Sequence, residues 1–229
     1  FRSTGSIDDL LNAGINSFTM PLVGGTDGLD ITEPEPFANR LISTFTEQTS
    51  YEMYSVRKAI DMLRDPDVVE HNVVAAPGIS DPLITDYLVD MAEERKDTLA
   101  IIDIQNDYKP RFELLSSEIT TNRTTLPDPS TAVNEMKTRG FDSSYGAAYY
   151  PAVQIRDRGS NAVLYVPATV AAMAAFGYTE RVAEPWFAPA GFNRGGLSDG
   201  STGIVATGVS KRLTSKERDD LYGVNVNPI

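Results

Sequence analysis

His71 is the only histidine in the chain, and so the first residue to test for chemistry, because an imidazole can act as general base or metal ligand near neutral pH. Its neighbours form no G-x-S-x-G elbow, and no triad partner is marked by spacing. A position at a strand edge or in the core suits it better. Two glycine clusters, G-G-T-D-G at 24–28 and N-R-G-G-L-S-D-G at 193–200, resemble phosphate cradles. Neither ends in the Lys-Ser/Thr pair of a P-loop, and neither has the G-x-G-x-x-G spacing of a dinucleotide site. They read as turns, with Gly25 and Gly196 marking where a small anionic ligand would sit in an alternative reading.

The segment D-I-Q-N-D-Y-K-P-R-F-E-L (103–114) opens like a calcium loop, with Asp103, Gln105 and Asp107 at alternate positions. Tyr108 then stands where the sharp-turn glycine belongs, and Leu114 where the closing glutamate belongs. With no cysteine in the chain, disulfides, thiolate metal sites and a cysteine nucleophile are excluded. Among 32 acidic residues no general acid–base pair stands out. No catalytic, cofactor-binding or metal-ligating residue is assigned, and no cofactor is expected.

The elements that carry these residues are those of an ordinary globular chain. The protein has 229 residues, 41% of them hydrophobic and 23% charged, enough for one large or two small domains. Its net charge of −12 and its scattered Lys and Arg argue against direct nucleic-acid binding. The densest basic group, Lys211, Arg212, Lys216 and Arg218, is offset by Glu217, Asp219 and Asp220 at a helix start. No run approaches the ~18 apolar residues of a membrane span. The first residue is Phe1, so a processed chain or a fragment is expected.

Periodicity predicts a short strand over 16–23 and an extended acidic, proline-rich segment through Pro36. A helix over 51–64 follows, with Tyr54, Ile60 and Leu63 inward, ended by Asp65-Pro66. H-N-V-V-A-A-P-G (71–78) reads as a buried strand. Asp81 caps the next helix with Pro82 at its first position, and Leu83, Ile84, Tyr87, Leu88 and Met91 form the apolar face. T-L-A-I-I-D-I (98–104) is a continuous apolar strand of the parallel type, completing a βαβ unit. A loop-like stretch at 105–130 leads to a short helix over 131–138 that ends at Gly140. Further on come a strand at 161–166, an alanine-rich helix over 167–176, and irregular chain at 185–201. A strand at 203–209, a helix over 214–222 capped by Thr214 or Ser215, and a final strand at 224–229 complete the pass. The fold class is α/β (mixed α+β): a sheet containing the βαβ unit plus an antiparallel hairpin, flanked by helices. A division near residue 140 would give an N-terminal α/β part, 1–140, and a C-terminal part, 141–229.

Phe141–Asp157 concentrates three tyrosines and a proline, as one strand or two broken at Pro151. On a continuous strand Tyr145, Ala147, Tyr149, Val153 and Ile155 share one side, and Gly146, Ala148, Tyr150, Gln154 and Arg156 the other. Neither side is wholly polar, so both are covered, by core or by another subunit. The strand then pairs with 161–166 across the D-R-G-S turn as a hairpin.

Taken in order, P-L-V-G-G-T-D-G (21–28), V-V-A-A-P-G-I-S (73–80), the acidic helix ending A-E-E-R-K-D and T-L-A-I-I-D (98–103) form the first half of a pattern. S-S-Y-G-A-A-Y-Y-P-A-V-Q-I-R-D (143–157), V-L-Y-V-P-A-T-V-A-A (163–172), E-P-W-F-A-P-A-G (184–191), L-T-S-K-E-R-D-D-L (213–221) and the closing G-V-N-V-N-P-I complete it. This order resembles the conserved body of the contractile-tail sheath proteins of bacteriophages, a family that includes the sheaths of phage-tail-like bacteriocins. The likeness covers most of the chain, and the tyrosine-rich strand, P-W-F-A-P-A and N-P-I carry most of it.

The resemblance implies a non-enzymatic subunit of a virion tail sheath, assembled in the host cytoplasm. Subunits of that family stack as six-membered rings, or a six-start helix, around an inner tube, between baseplate and tail terminator. A baseplate signal triggers contraction, which drives the tube through the bacterial envelope for genome ejection. Terminal arms link neighbouring subunits in the family, and the resemblance places both arms outside Phe1–Ile229. Contact surfaces are expected on the small residues of the 167–176 helix and on the 185–201 loop. Tube or baseplate proteins are a further alternative, against which the βαβ unit argues.

Overall fold

Two Asp-Pro pairs start helices in this chain, and the computed structural model shows how. It describes residues 51–104 and 128–229, apart from Arg158, Ser160, Pro185 and Phe192. All of these fall in the unit that runs from Glu35 to Ile229. The strand expected at 16–23, the Gly25 turn, the segment through Pro36, and most of the 105–130 loop with Gln105 and Asp107 lie outside the described residues.

Helix α1 spans Tyr51–Met62 and buries Met53 and Ile60, with Val56 and Leu63 packed beside them. Tyr54, expected inward, is 61% exposed. Met53, Val56, Ile60 and Leu63 follow the helical repeat, and Tyr54 lies off that stripe. Strand β1 is only Val73–Ala75, shorter than expected, because Pro77 has no N–H to give and Gly78 turns at φ 89°.

Helix α2, Pro82–Arg95, starts as expected: Asp81 accepts a hydrogen bond from Leu83 N at 3.0 Å, and Pro82 takes the first position, where a missing N–H does no harm. Ile84, Leu88 and Met91 are buried, whereas Leu83 is 61% exposed at the outward side of the first turn. Helix α3, Pro129–Arg139, repeats the device with Asp128 and so begins before the expected residue 131. It closes on Gly140 at φ 64°.

Strand β2, Leu99–Ile102, is almost wholly buried and runs parallel to β1 on one side and to β3, Gly146–Tyr150, on the other. With β7, Val226–Pro228, the order is β1-β2-β3-β7, all parallel. The sheet thus joins strands from before and after residue 140. Ala100, Ile102, Ala148, Tyr150 and Val226 turn to one face, in a core with Met53, Leu88, Met136 and Leu221 from the helices. The other face carries Ile101, Ala147 and Tyr149, and helix α4, Ala168–Val182, packs across β2 and β3 there.

The tyrosine-rich stretch serves two sheets. Beyond β3, Pro151 interrupts the ladder and β4, Val153–Arg156, enters a separate antiparallel sheet of order β5-β4-β6. Its hairpin partner β5 is Val163–Val166, as expected, with Arg156 opposite Val163. Strand β6 is Ala206–Val209, shorter than 203–209 because Gly203 turns at φ 84°. Helix α4 runs past Gly177 to Val182, well beyond the expected 176. A helical glycine costs only about 1 kcal/mol against alanine, and the buried alanine face outweighs it. Helix α5, Ser215–Tyr222, carries a complete capping box between Thr214 and Glu217.

Candidate functional site

In a parallel sheet, ligands collect beyond the carboxyl ends of the strands, and Asp103 stands there, directly after β2. It is buried, and one carboxylate oxygen accepts from Gly78 N at 2.8 Å and from Thr169 Oγ1 at 3.0 Å. The other accepts from Thr169 N at 3.2 Å. Burial pushes its carboxyl above the usual carboxylate range, against the pull of these hydrogen bonds. Pro167, the cap residue of α4, supplies no side-chain hydrogen bond. Asp103 therefore caps α4 from another element, and its carboxylate occupies the place where a helix start would hold an outside anion.

His71 lies half-buried two residues before β1, with both ring nitrogens buried and without a hydrogen-bond partner among the described residues. Its carbonyl accepts from Thr98 Oγ1 at 3.0 Å. That geometry neither activates a nucleophile nor orients a base. Among the described residues, no group of three His, Asp or Glu is placed to hold a metal. Of the calcium-loop candidates, Asp103 alone is described, and its oxygens are committed to α4 and Gly78.

The 193–200 glycines pack against their own loop. A Cβ on Gly195 would meet Pro189 O at 2.9 Å, and Gly200 turns at φ 78°. Gly196 lines an open trough of about 490 Å³ with Val153, Leu197 and Val209, and no lining residue is cationic. An anion would find no counter-charge there.

What the structure presents instead is apolar surface. Strand β5 is an edge: among the described residues no strand pairs with its outer side, and Val163 and Leu164 are nearly half exposed. Met173 and Val182 on α4, then Trp186, Phe187 and Val205, are exposed as well. The loop expected as a contact surface does carry exposed aromatics. Of the small residues of the 167–176 helix, Ala168, Ala171, Ala172 and Ala175 are buried, which lets α4 lie close on the sheet, while Ala174 is half-buried on its outer side. Sequence reasoning missed the β5 edge, whose only signal was apolar Val163 and Leu164 in a short strand after a turn.

The body behind this surface is firmly tied. Arg139, whose side chain is 6% exposed, donates to Asp86 at 2.6 Å and to Thr85 Oγ1 at 2.8 Å, joining α3 to α2. Arg95, only 1% exposed, donates to the carbonyls of Leu63 and Val69 and to both oxygens of Asp97. Tyr87 is held between Arg57 and Arg64, 4.3 and 4.7 Å from its ring centre. No helix among the described residues is long and apolar enough to cross a membrane. Comparison of the sequence with protein-family models and with curated proteins finds no match.

Proposed function

We propose that this chain is the body of a contractile-tail sheath subunit, a structural protein that encloses an inner tube in copies of itself. Neighbours stack as six-membered rings or a six-start helix. A baseplate signal releases them into a shorter arrangement that drives the tube through the bacterial envelope for genome ejection. The protein transforms no molecule and uses no cofactor. Its partners are like subunits, the tube, the baseplate and the terminator, and its place is the virion, after assembly in the host cytoplasm.

The reading rests on the ordered motif set, and one structural observation supports it. Val163 and Leu164 are exposed on a strand edge unpaired among the described residues, and Val182, Trp186 and Phe187 are exposed at and just beyond the end of α4. Single exposed apolar residues are ordinary, but an open apolar strand edge and neighbouring exposed aromatics suit repeated docking. Contraction then needs the short arrangement to gain better contacts, summed over many copies, than the long one has. A barrier must hold the long form until the signal arrives.

Electron microscopy of the full-length protein is the test. Rings or tubes with six-fold symmetry are expected, and protein that stays monomeric under assembly conditions overturns the reading.

A further inference from the structure

Trp186 is the only tryptophan of the chain and is 78% exposed, with Phe187 beside it 44% exposed. Indole rings carry more burial energy than other side chains and dominate interface hot spots. A short way back along the chain, α4 and the loop 200–203 enclose an open cleft of about 430 Å³. This lies at the lower end of the range for pockets that take one sizeable group. Helix α4 lines it with Met173, Ala174, Gly177, Tyr178 and Arg181. No heavy atom lies within 4 Å of where a Cβ on Gly177 would stand, and Trp186 is not among the lining residues.

A thioether, a phenol ring and a guanidinium are surroundings that suit an indole, through sulfur–aromatic and cation–π contact. Arg181 is already positioned, 5.3 Å from the Tyr178 ring centre and donating to Ser201 O at 3.2 Å. The charges match as well: exposed Glu184 precedes Trp186 by two residues, and cationic Arg181 lines the cleft.

We propose that Trp186 of one copy seats in the α4 cleft of a second copy, with Glu184 facing Arg181 across the joint. This deepens the sheath reading and rests on it for the presence of like neighbours. Knob and cleft are different surfaces, so the contact is heterologous and propagates into rings or filaments. Trp186 and Phe187 contribute a few hundred Å² at most, well below the ~1,200 Å² of stable complexes. A single joint is therefore weak, so dilute subunits stay apart and pair only as concentration rises, unless many joints form together.

Because Trp186 is the sole tryptophan, its fluorescence reports the joint directly, alongside sedimentation of the same samples. As concentration rises, emission should shift to the blue and acrylamide quenching should fall. Trp186→Ala and Gly177→Leu should each weaken association at least about thirtyfold. Leucine fills the cleft and is the better helix former, so Gly177→Leu keeps its fold, as circular dichroism will verify. Trp186→Ala mixed with Gly177→Leu leaves one intact knob and one intact cleft, so the mixture should form a one-to-one pair and nothing larger.

Three results would each overturn the joint: no association of the wild type up to about millimolar concentration, association with Trp186 still fully quenchable, or Gly177→Leu associating like the wild type. If wild type and both variants all form rings or tubes in the microscope, this joint is wrong while the sheath reading stands. If Trp186-dependent pairs form but no rings or tubes do, the joint stands and the sheath reading is wrong.

Discussion

Replacing Asp103 by alanine tests whether the tie between the parallel sheet and α4 is as strong as its geometry implies. Three donors lose their acceptor: Gly78 N, Thr169 N and Thr169 Oγ1. Gly78 is exposed, so its N–H turns to water at little cost. Thr169 is fully buried, and each of its orphaned donors costs about 1–3 kcal/mol, the hydroxyl least because it can rotate. Removing a buried carboxylate also removes its desolvation penalty, which offsets part of the loss. The net destabilisation is about 2–3 kcal/mol, or a melting point about 4–12 °C lower for a domain of this size. Urea unfolding followed by far-ultraviolet circular dichroism at pH 7 measures it, with Asp90→Ala, on the exposed side of α2, as a control within about 0.5 kcal/mol of wild type.

Asp103→Asn separates cap from charge. Because burial raises the folded carboxyl above its ordinary value, the wild type loses stability as pH rises through the folded value, and asparagine does not. Asp103→Asn should therefore lose less than Asp103→Ala, and gain on the wild type as pH is raised from about 4 to 7. An Asp103→Ala protein within about 0.5 kcal/mol of wild type at pH 7 would refute the capping role.

Three further outcomes are expected. Arg95→Ala strands the Leu63 and Val69 carbonyls that its guanidinium holds, and should lower the urea midpoint with unchanged slope. The Arg95 guanidinium holds the Asp97 carboxyl down at about 2, so the stability it contributes is present above about pH 4 and lost as pH falls toward 2. Asp97→Asn should flatten that acid limb of the stability curve. Thr214→Ala opens the capping box of α5 and should cost about 1 kcal/mol, seen as a lower urea midpoint with unchanged slope.

Local chemistry was legible in the sequence where a few adjacent residues decide the outcome. Asp81-Pro82 and Thr214–Glu217 mark helix starts through side-chain-to-backbone bonds within three residues, and the unbroken apolar run Leu99–Ile102 marks a strand covered on both faces. Facing was less legible: Tyr54 and Leu83 are apolar residues beside apolar stripes, and only packing assigns them to solvent. The order β1-β2-β3-β7 was not legible, because β7 pairs with β3 across the whole antiparallel sheet and α4. Nor was the role of Asp103, whose partner Thr169 lies 66 residues along the chain and leaves no local trace. Of the contact surface, the 184–191 segment stood out by its aromatics, but nothing in its spacing says that Trp186 points outward.

The join at Pro151–Ala152 has a mechanical consequence. Strand β3 lies in the buried parallel sheet and β4 in the antiparallel one, with only these two residues between them. A pull on the outer hairpin is thus delivered through covalent backbone into the middle of the protein, where β2 and β7 grip β3 on either side. The hairpin works as a handle fixed to the frame rather than a tag on a flexible leash.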